Sequence, residues 1–492
     1  MKQLGKARTT VQDAVVLETG AWHVRLGTTP MHKEAVPEIS RHLNAIARTR
    51  HGVRRQVLVG DQIEDECLDF GGLQLRLPID RGMVVDWAAQ KAVWDRALAQ
   101  RFGKKDTSYD SFGALQGRTV IVTEPYFALP EQQRAFDMLL FDWYQADAVW
   151  RTIPAQLVPF ADPRRPECVL VVDCGQSYTH TVPIVRDQVQ WDGVKRLDVG
   201  GKVLTSLLKE SFSYRQWNMM DETFLIDKMK PVSCFVASSA NDTGARKPDD
   251  RPHGWSFARF VDYFHENQDN DMVQHYVLPD YAHPEDAKNP HTRFGYVEAG
   301  PGSRHQPPTT HGSEDEILDS FIAGQHRDPV PESSEHQILR VAQERFQLME
   351  LLFAPQRIGL EQGSLAELVA AAIDSVPPEY QDLMWGNVIV VGGTAGARGL
   401  RRRLAYELRM LAPTDVPVDV RIAADPVIAP TLGALALLQA PLDSANGKFL
   451  ANRLVTRDQY ARKGGSSMTP GDRAGSSVGD ARYGDWNAAK ST

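Results

Sequence analysis

Residues 168–183, CVLVVDCGQSYTHTVP, decide how the chain is read. Val169 to Val172 form a short apolar run rich in β-branched side chains, which predicts a buried strand rather than a helix. The run stops at Asp173, Gly175 follows, and apolar alternation resumes through Tyr178 and Val182. Strand, glycine-containing turn and strand describe a hairpin. A carboxylate at its mouth can hold a cation, and turn amides can face an anion. The plainer reading is an ordinary hairpin whose Asp173 only stabilises the turn, the commoner outcome for a single motif.

The same grammar occurs earlier in AVVLETGAWHVRLGTTP, residues 14–30, where Ala14 to Leu17 lead into Glu18, Gly20 and a resumed alternation. Two copies about 150 residues apart predict an internally duplicated fold. A third apolar run, Asn387 to Val391, enters Gly392-Gly393-Thr394-Ala395-Gly396 and then a helix over Gly399 to Leu411. Strand, glycine-rich turn and helix recur in nucleotide-binding folds. The turn is neither a Walker A loop nor a GxGxxG fingerprint. A glycine pair, Gly200-Gly201, opens the helix expected over Val203 to Phe212, either as a tight turn or to admit a ligand.

Helices are also expected over Asp86–Leu98, over Glu131–Trp143 (apolar face Phe136, Leu139, Leu140 and Trp143), over Met219–Lys230 ended by Pro231, over Ile338–Leu352, over Ser364–Val376 and over Ala434–Leu438. Thr119–Thr123 and Val189–Val199 read as strands. The stretches 237–270 and 281–335 are rich in Ser, Asn, Asp, Pro, Gly and His and read as surface insertions, flexible in part and dispensable for the fold. Their His291, His305, His311 and His326 lack metal-ligand spacing and read as solvated loop residues. Arg398, Arg401, Arg402 and Arg403 read as a solvated helix face rather than a nucleic-acid patch.

At 492 residues the chain is too long for one small core. It is 42% apolar and 24% charged, with a formal net charge of −8, which disfavours a general electrostatic grip on nucleic acid. No apolar run has the length of a membrane span, and MKQLGKARTT lacks a signal core. Cys67, Cys168, Cys174 and Cys234 show no metal-type pairing, and scattered thiols suit the cytosol or nucleus.

Three glycine turns after apolar strands in duplicated halves resemble the actin and sugar-kinase superfamily. LETGAWHVRLG and VDCGQSYTHTVP are similar to its two phosphate hairpins, and VGGTAGARG to its nucleoside-side loop. VTEPYF, SYTHTVP, VGGKVLTSLLKE, SYRQWNMMDET, YVLPD and LAPTD, in that order, resemble the sixth class of nuclear actin-related proteins. The similarity runs from Val15 to Tyr460, the two insertions excepted.

The resemblance implies an α/β, actin-like, duplicated two-lobed fold with a central nucleotide cleft, each lobe a mixed sheet flanked by helices. The expected parts are an arm over 1–13, a first half over 14–167 with a smaller-lobe insertion at 36–85, a second half over 168–460, and a disordered tail over 461–492. It implies a non-catalytic scaffold subunit of a Swr-type complex that exchanges a standard histone dimer for its variant-containing form, and so a role in transcription regulation. Implied partners are the helicase-like motor and a small zinc-finger HIT protein, with nucleosomes and histones touched indirectly or weakly. The implied location is the nucleus, and also the cytoplasm. An independent ATPase or small-molecule kinase of the same superfamily is the alternative.

The implied nucleotide site, for ATP or ADP with Mg²⁺, comprises Glu18, Thr19, Gly20, Ala21, Arg25, Asp173, Gly175, Gln176, Gly201, Lys230, Gly392, Gly393 and Thr394, with Asp173 reaching the metal through water. Several positions depart from the family pattern. Glu18 stands for Asp, Ala21 for a hydroxyl, Trp22 for Gly, Arg25 for Lys, Gln176 for Asp and Pro231 for Glu. Asp147 stands where a water-orienting Gln is expected. These changes predict that hydrolysis is lost and leave open whether a nucleotide is held as a structural ligand, since backbone-made loops tolerate side-chain change.

Overall fold

The structure is a computed structural model that describes residues 13–29, 38–49, 56–103, 111–239, 251–267, 270, 272–280, 289, 292–297, 313–322 and 337–462. The expected arm before Asp13, the four loop histidines and the tail beyond Arg462 lie outside the described residues.

Two mixed sheets carry the architecture. In the first, the hairpin Ala14–Thr19/His23–Thr28 pairs antiparallel, with Glu18 opposite Arg25. Ala14–Thr19 also runs parallel to Thr119–Thr123, which runs parallel to Ala148–Thr152. In the second, the hairpin Cys168–Cys174/Thr179–Val185 pairs antiparallel, Cys168–Cys174 runs parallel to Val388–Val391, and that strand runs parallel to Val420–Ile422. The two paths have the same order and the same senses, so the repeated hairpin grammar marks a true structural repeat. Both hairpins start as continuous apolar runs because helices cover both faces of the sheets; Ala14 to Leu17 and Cys168 to Val172 are all buried. A smaller three-stranded sheet, Ile46–Arg48, Val57–Val59 and Gln74–Arg76, stands on the first half.

Several helices begin where capping chemistry dictates. Asp86 accepts from the Ala89 amide at 3.0 Å to open Trp87–Phe102. Ser364 and Glu367 form a capping box at the start of Leu365–Asp374.

Other expectations are corrected by tertiary pairing. Ile338–Leu352 is not one helix: Ile338–Val341 is a strand antiparallel to Gln274–Val277, and the helix is only Glu344–Glu350. Leu339 and Val341 are buried and alternate with more exposed neighbours, a period-two pattern that the helical reading missed. Val189–Val199 is broken by a 3₁₀ turn over Trp191–Gly193. The helix near Pro231 starts at Thr223 and runs through the proline to Ser233, within its last turn. The helix from Pro130 widens into a π-turn over Met138–Trp143, which puts Trp143 on the surface with Nε1 donating to Ser111 Oγ at 3.1 Å.

The stretches expected as dispensable insertions also contain packed core. Ser256 caps the helix Phe257–Glu266, and a second helix spans Glu314–Ile322. Phe257, Phe260 and Phe264 join Phe235, Trp255, Phe321 and Phe346 in one buried aromatic cluster. Arg345, fully buried, donates from Nε to Ser233 O at 3.1 Å, from Nη1 to Ile322 O at 2.9 Å and to Met272 O, and from Nη2 to Phe321 O at 2.6 Å. One guanidinium thereby caps the carboxyl ends of Thr223–Ser233 and Glu314–Ile322.

The arginine run is committed internally. Arg401 pairs with Glu314, Arg402 with Asp315 at 2.6 Å, and buried Arg403 with Glu350 at 3.0 Å. Only Arg401 and Arg402 belong to a solvated face; Arg403 is core.

Candidate functional site

The two hairpin turns, Thr19–Trp22 and Cys174–Tyr178, lie at the same end of their respective sheets. Gly20 N donates to His23 O at 3.0 Å and Gly175 N to Tyr178 O at 3.0 Å, closing each turn. Asn44 holds the first turn from outside, its Nδ2 on Gly20 O at 2.9 Å and its amide on Trp22 O at 2.8 Å. Trp22 does not lie over the turn; it is buried in a cluster with Leu43, Phe70 and Phe224. Ala21 is half-buried and packs beside the core of the first half.

Glu18 and Arg25 face each other across the first hairpin and form a buried ion pair. Glu18 Oε2 also accepts from the Thr431 hydroxyl, delivered by the late helix Ala429–Gln439. In the second hairpin, Asp173 Oδ2 accepts from the Tyr126 hydroxyl at 2.7 Å, a contact between the two halves. Burial pushes the Asp173 carboxyl up to about 6, Tyr126 opposes that rise, and Glu18 adds to it. Tyr126 stacks on His180 with ring centroids 4.0 Å apart. Burial, then Arg196, lowers the His180 imidazole to about 3.

Gly200 and Gly201 serve packing. A Cβ at Gly200 would lie 2.7 Å from the Gln176 carbonyl oxygen, and one at Gly201 would lie 2.2 Å from Gln176 Oε1. The second hairpin turn sits directly on the helix start, with Gly201 N on Gly175 O at 3.0 Å and Lys202 N on Gln176 O at 2.8 Å. Gln176 therefore contributes backbone to the fold and fills the space a bare helix end would offer.

Lys230 is buried and satisfied by Asp227 Oδ1 at 2.9 Å, Thr205 Oγ1 at 2.8 Å and Gly201 O at 3.3 Å. Gly392 has φ +94°, and a Cβ there would meet Cys174 O at 2.4 Å, so only glycine joins this turn to the hairpin strand. Thr394 is buried, whereas Gly393 is exposed and faces open space.

Asp147 is not in the site. Its strand begins at Ala148 opposite Thr119 and Ala14, the ends remote from the hairpin turns. Five residues of strand put it about 17 Å from the cleft end. It is exposed, with Oδ1 accepting from Gly117 N at 3.1 Å. Past the cleft end of this strand Ile153 leads into the helix Pro154–Ala161, whose first residue has neither an N–H nor a polar side chain to orient water.

Two buried donors in the first hairpin, Thr19 Oγ1 and Arg25 Nε, have no hydrogen-bond partner among the described residues. Hydroxyl and guanidinium N–H groups are the kind of donors that anionic oxygens take. No group of three or more His, Cys, Asp or Glu among the described residues could ligate a metal directly.

The actin family model matches residues 9–437. The chain belongs to the actin family. Actin-like protein ARP6 of Cryptococcus neoformans is 31% identical over 461 residues, covering 92% of this chain and 83% of that protein. Actin-related protein 6 of Drosophila melanogaster is 31% identical over 422 residues, covering 84% and 89%. Actin-related protein 6 of Oryza sativa subsp. japonica is 30% identical over 416 residues, covering 83% and 87%. Within the actin family the chain is thus of the actin-related protein 6 class.

The expected residues of both hairpins and of the 392–394 turn converge on one cleft. Reading the sequence missed Tyr126, Asn44 and Thr431, which hold Asp173, the first turn and Glu18 respectively. Tyr126 lies inside VTEPYF, so its segment was singled out but its hydroxyl was not. Asn44 and Thr431 left no local signal.

Proposed function

We propose that the chain is a non-catalytic scaffold subunit of a nuclear ATP-dependent chromatin remodelling complex that exchanges a standard histone dimer for its variant-containing form, and so contributes to transcription regulation. Its partners in this reading are the helicase-like motor subunit and a small zinc-finger HIT protein, with nucleosomes contacted indirectly or weakly. It acts in the nucleus and is also found in the cytoplasm. No helix among the described residues is long and apolar enough to cross a membrane.

The observation that carries the non-catalytic part is Pro154 at the cleft end of Ala148–Thr152, with Asp147 at the far end. A hydrolase needs a polar group to orient the attacking water, and this position supplies none. In this reading the same geometry counts against an independent ATPase or kinase, whose candidate group was Asp147. ATP or ADP with Mg²⁺ is proposed as a structural ligand. Thr19 and Arg25 Nε would meet phosphate, Asp173 the hydrated cation, and Gly392, Gly393 and Thr394 the nucleoside. The ligand would supply charge that bridges the two halves.

Affinity purification of the tagged chain from nuclear extract should recover the motor and the HIT protein; recovery of neither would refute the scaffold reading. Single-turnover phosphate release from the purified chain should be absent, and its presence would refute the non-catalytic reading. Mass spectrometry of the denatured protein should find close to one adenine nucleotide per chain.

A further inference from the structure

The two lobes meet at the outer edge of the cleft as well as at its base. Phe70, from the small subdomain of the first half, stacks on Phe224 of the second half with centroids 5.2 Å apart and planes 10° apart. Phe294 closes edge-on against both, at 5.0 and 5.6 Å. Phe224 opens the helix Thr223–Ser233, which also carries Lys230, and it shares one buried cluster with Trp22 of the first hairpin turn. That cluster therefore spans the cleft from hairpin to helix.

Polar bonds between the halves accompany the aromatic contact, one of them further in, beside the second hairpin turn. Lys228 Nζ donates to Glu64 Oε1 at 2.8 Å, and Gly72 N donates to Glu222 Oε1 at 2.8 Å. Arg293 donates to Glu64 O. Lys202 reaches Asp80 at 2.6 Å. Each of these bonds joins the first half to the second.

We propose that Phe70, Phe224 and Phe294 form a clasp that holds the mouth of the cleft shut without a ligand, so that the outer edges of the two lobes move as one body. Stacked and edge-on rings exclude water and add directional attraction to the area they bury. The polar bonds prevent the lobes from sliding across the contact. Opening the mouth requires separating the rings and breaking those bonds together, so it is a sub-global event rather than a side-chain fluctuation. A nucleotide already in the cleft is retained, and an incoming one is excluded while the clasp is closed. This goes beyond the scaffold reading, and its test does not depend on which complex the chain joins.

Cys67 supplies the readout. It is 2% exposed, lies in the clasp cluster, and donates from Sγ to Asp69 O at 3.1 Å. Cys168, 1% exposed in the second sheet, is an internal control. The full chain is pulsed with N-ethylmaleimide under native conditions, and labelling is mapped by peptide mass spectrometry. In the unsubstituted chain Cys67 is expected to react no faster than Cys168. Phe224→Ala should raise the Cys67 rate by about tenfold or more with Cys168 unchanged, as a local opening requires. Phe294→Ala, at a half-buried ring, and Lys228→Gln should give smaller increases and serve if Phe224→Ala does not fold. The proposal is overturned if Cys67 already reacts much faster than Cys168 in the unsubstituted chain. It is equally overturned if no variant alters Cys67, or if both cysteines rise together in every variant.

Discussion

Replacing Arg345 by Met tests whether the helices in the two polar stretches belong to the core. Its guanidinium is fully buried and meets four carbonyls, those of Ser233, Met272, Phe321 and Ile322. Burial lowers its proton affinity from 12.5 to about 9, so it remains cationic at neutral pH. A drop of that size corresponds to a penalty of roughly 5 kcal/mol for burying the charge. Four charge-assisted bonds at about 1.5–3 kcal/mol each outweigh it. Removing the group recovers the penalty but strands four carbonyls, three of them at helix carboxyl ends. Arg345→Met should therefore cost about 3 kcal/mol or more, measured as a lower urea midpoint with an unchanged slope. Arg345→Lys keeps the charge but cannot span the four acceptors, and should lose most of the same stability. Hydrogen exchange should locate the damage: Phe257–Glu266 and Glu314–Ile322 lose protection before Val388–Val391 does. A loss below about 1 kcal/mol, or uniform loss of protection, would refute the capping argument.

Asp173→Asn keeps an acceptor for Tyr126 and removes a carboxyl whose folded value, about 6, lies above its ordinary 3.8. Such a group costs stability as pH rises from about 4 to 6, so in nucleotide-free protein the variant should be more stable at pH 7.5, by up to roughly 3 kcal/mol, and equal the parent near pH 4. Destabilisation at pH 7.5 would mean that a cation balances the carboxylate. His180 has the opposite sign: its folded value of about 3 makes the parent lose stability as pH falls below 6.5, by about 2 kcal/mol at pH 5. His180→Phe, which keeps the ring on Tyr126, should flatten that acid limb in thermal melts; an unchanged limb would count against it. Glu350→Gln should cost about 2 kcal/mol in urea by removing one of the two carboxylates paired with Arg403, whose side chain is 1% exposed and which keeps Glu407 and Ala237 O. The double variant Glu350→Leu/Arg403→Met should lose less than the sum of the singles, and strict additivity would refute the pairing.

The hairpins, the glycine turns and the duplication were legible because each is local: an apolar run, a charged or glycine stop, a second run. The partners that define the cleft were not. Thr431 reaches Glu18 from 413 positions away, and Tyr126 reaches Asp173 from 47. No local pattern encodes such pairs. Asp147 was misplaced because its neighbourhood was aligned without strand ends; Pro154 marks the cleft only once Thr152 is seen beside Thr123. The strand Ile338–Val341 depends on Gln274–Val277 as a partner, which propensity cannot supply. The helix Phe257–Glu266 is a different failure, since its phenylalanines at 257, 260 and 264 show helical spacing that the polar composition around them concealed.

The substitutions in the first hairpin look like losses one at a time and act as a set. A Glu in place of Asp is one methylene longer, and an Arg in place of Lys offers a planar fork rather than a point charge. Together they form a buried pair across the hairpin, with Thr431 on the second carboxylate oxygen. That pairing makes the hairpin electrically neutral whether or not phosphate is present, and it leaves Arg25 Nε and the Thr19 hydroxyl as the donors without a partner. Lys230 with Asp227, and Tyr126 with Asp173, repeat the pattern on the other side of the cleft. A site that turns over ATP must stabilise charge that appears and disappears at each cycle, so its cations cannot be fully spent on internal carboxylates. Here Lys230 is held by Asp227 and one Arg25 nitrogen by Glu18, and the Tyr126–Asp173 contact spans the two halves. Of these pairs, Tyr126 on Asp173 ties one half to the other, which suits the scaffold role proposed above.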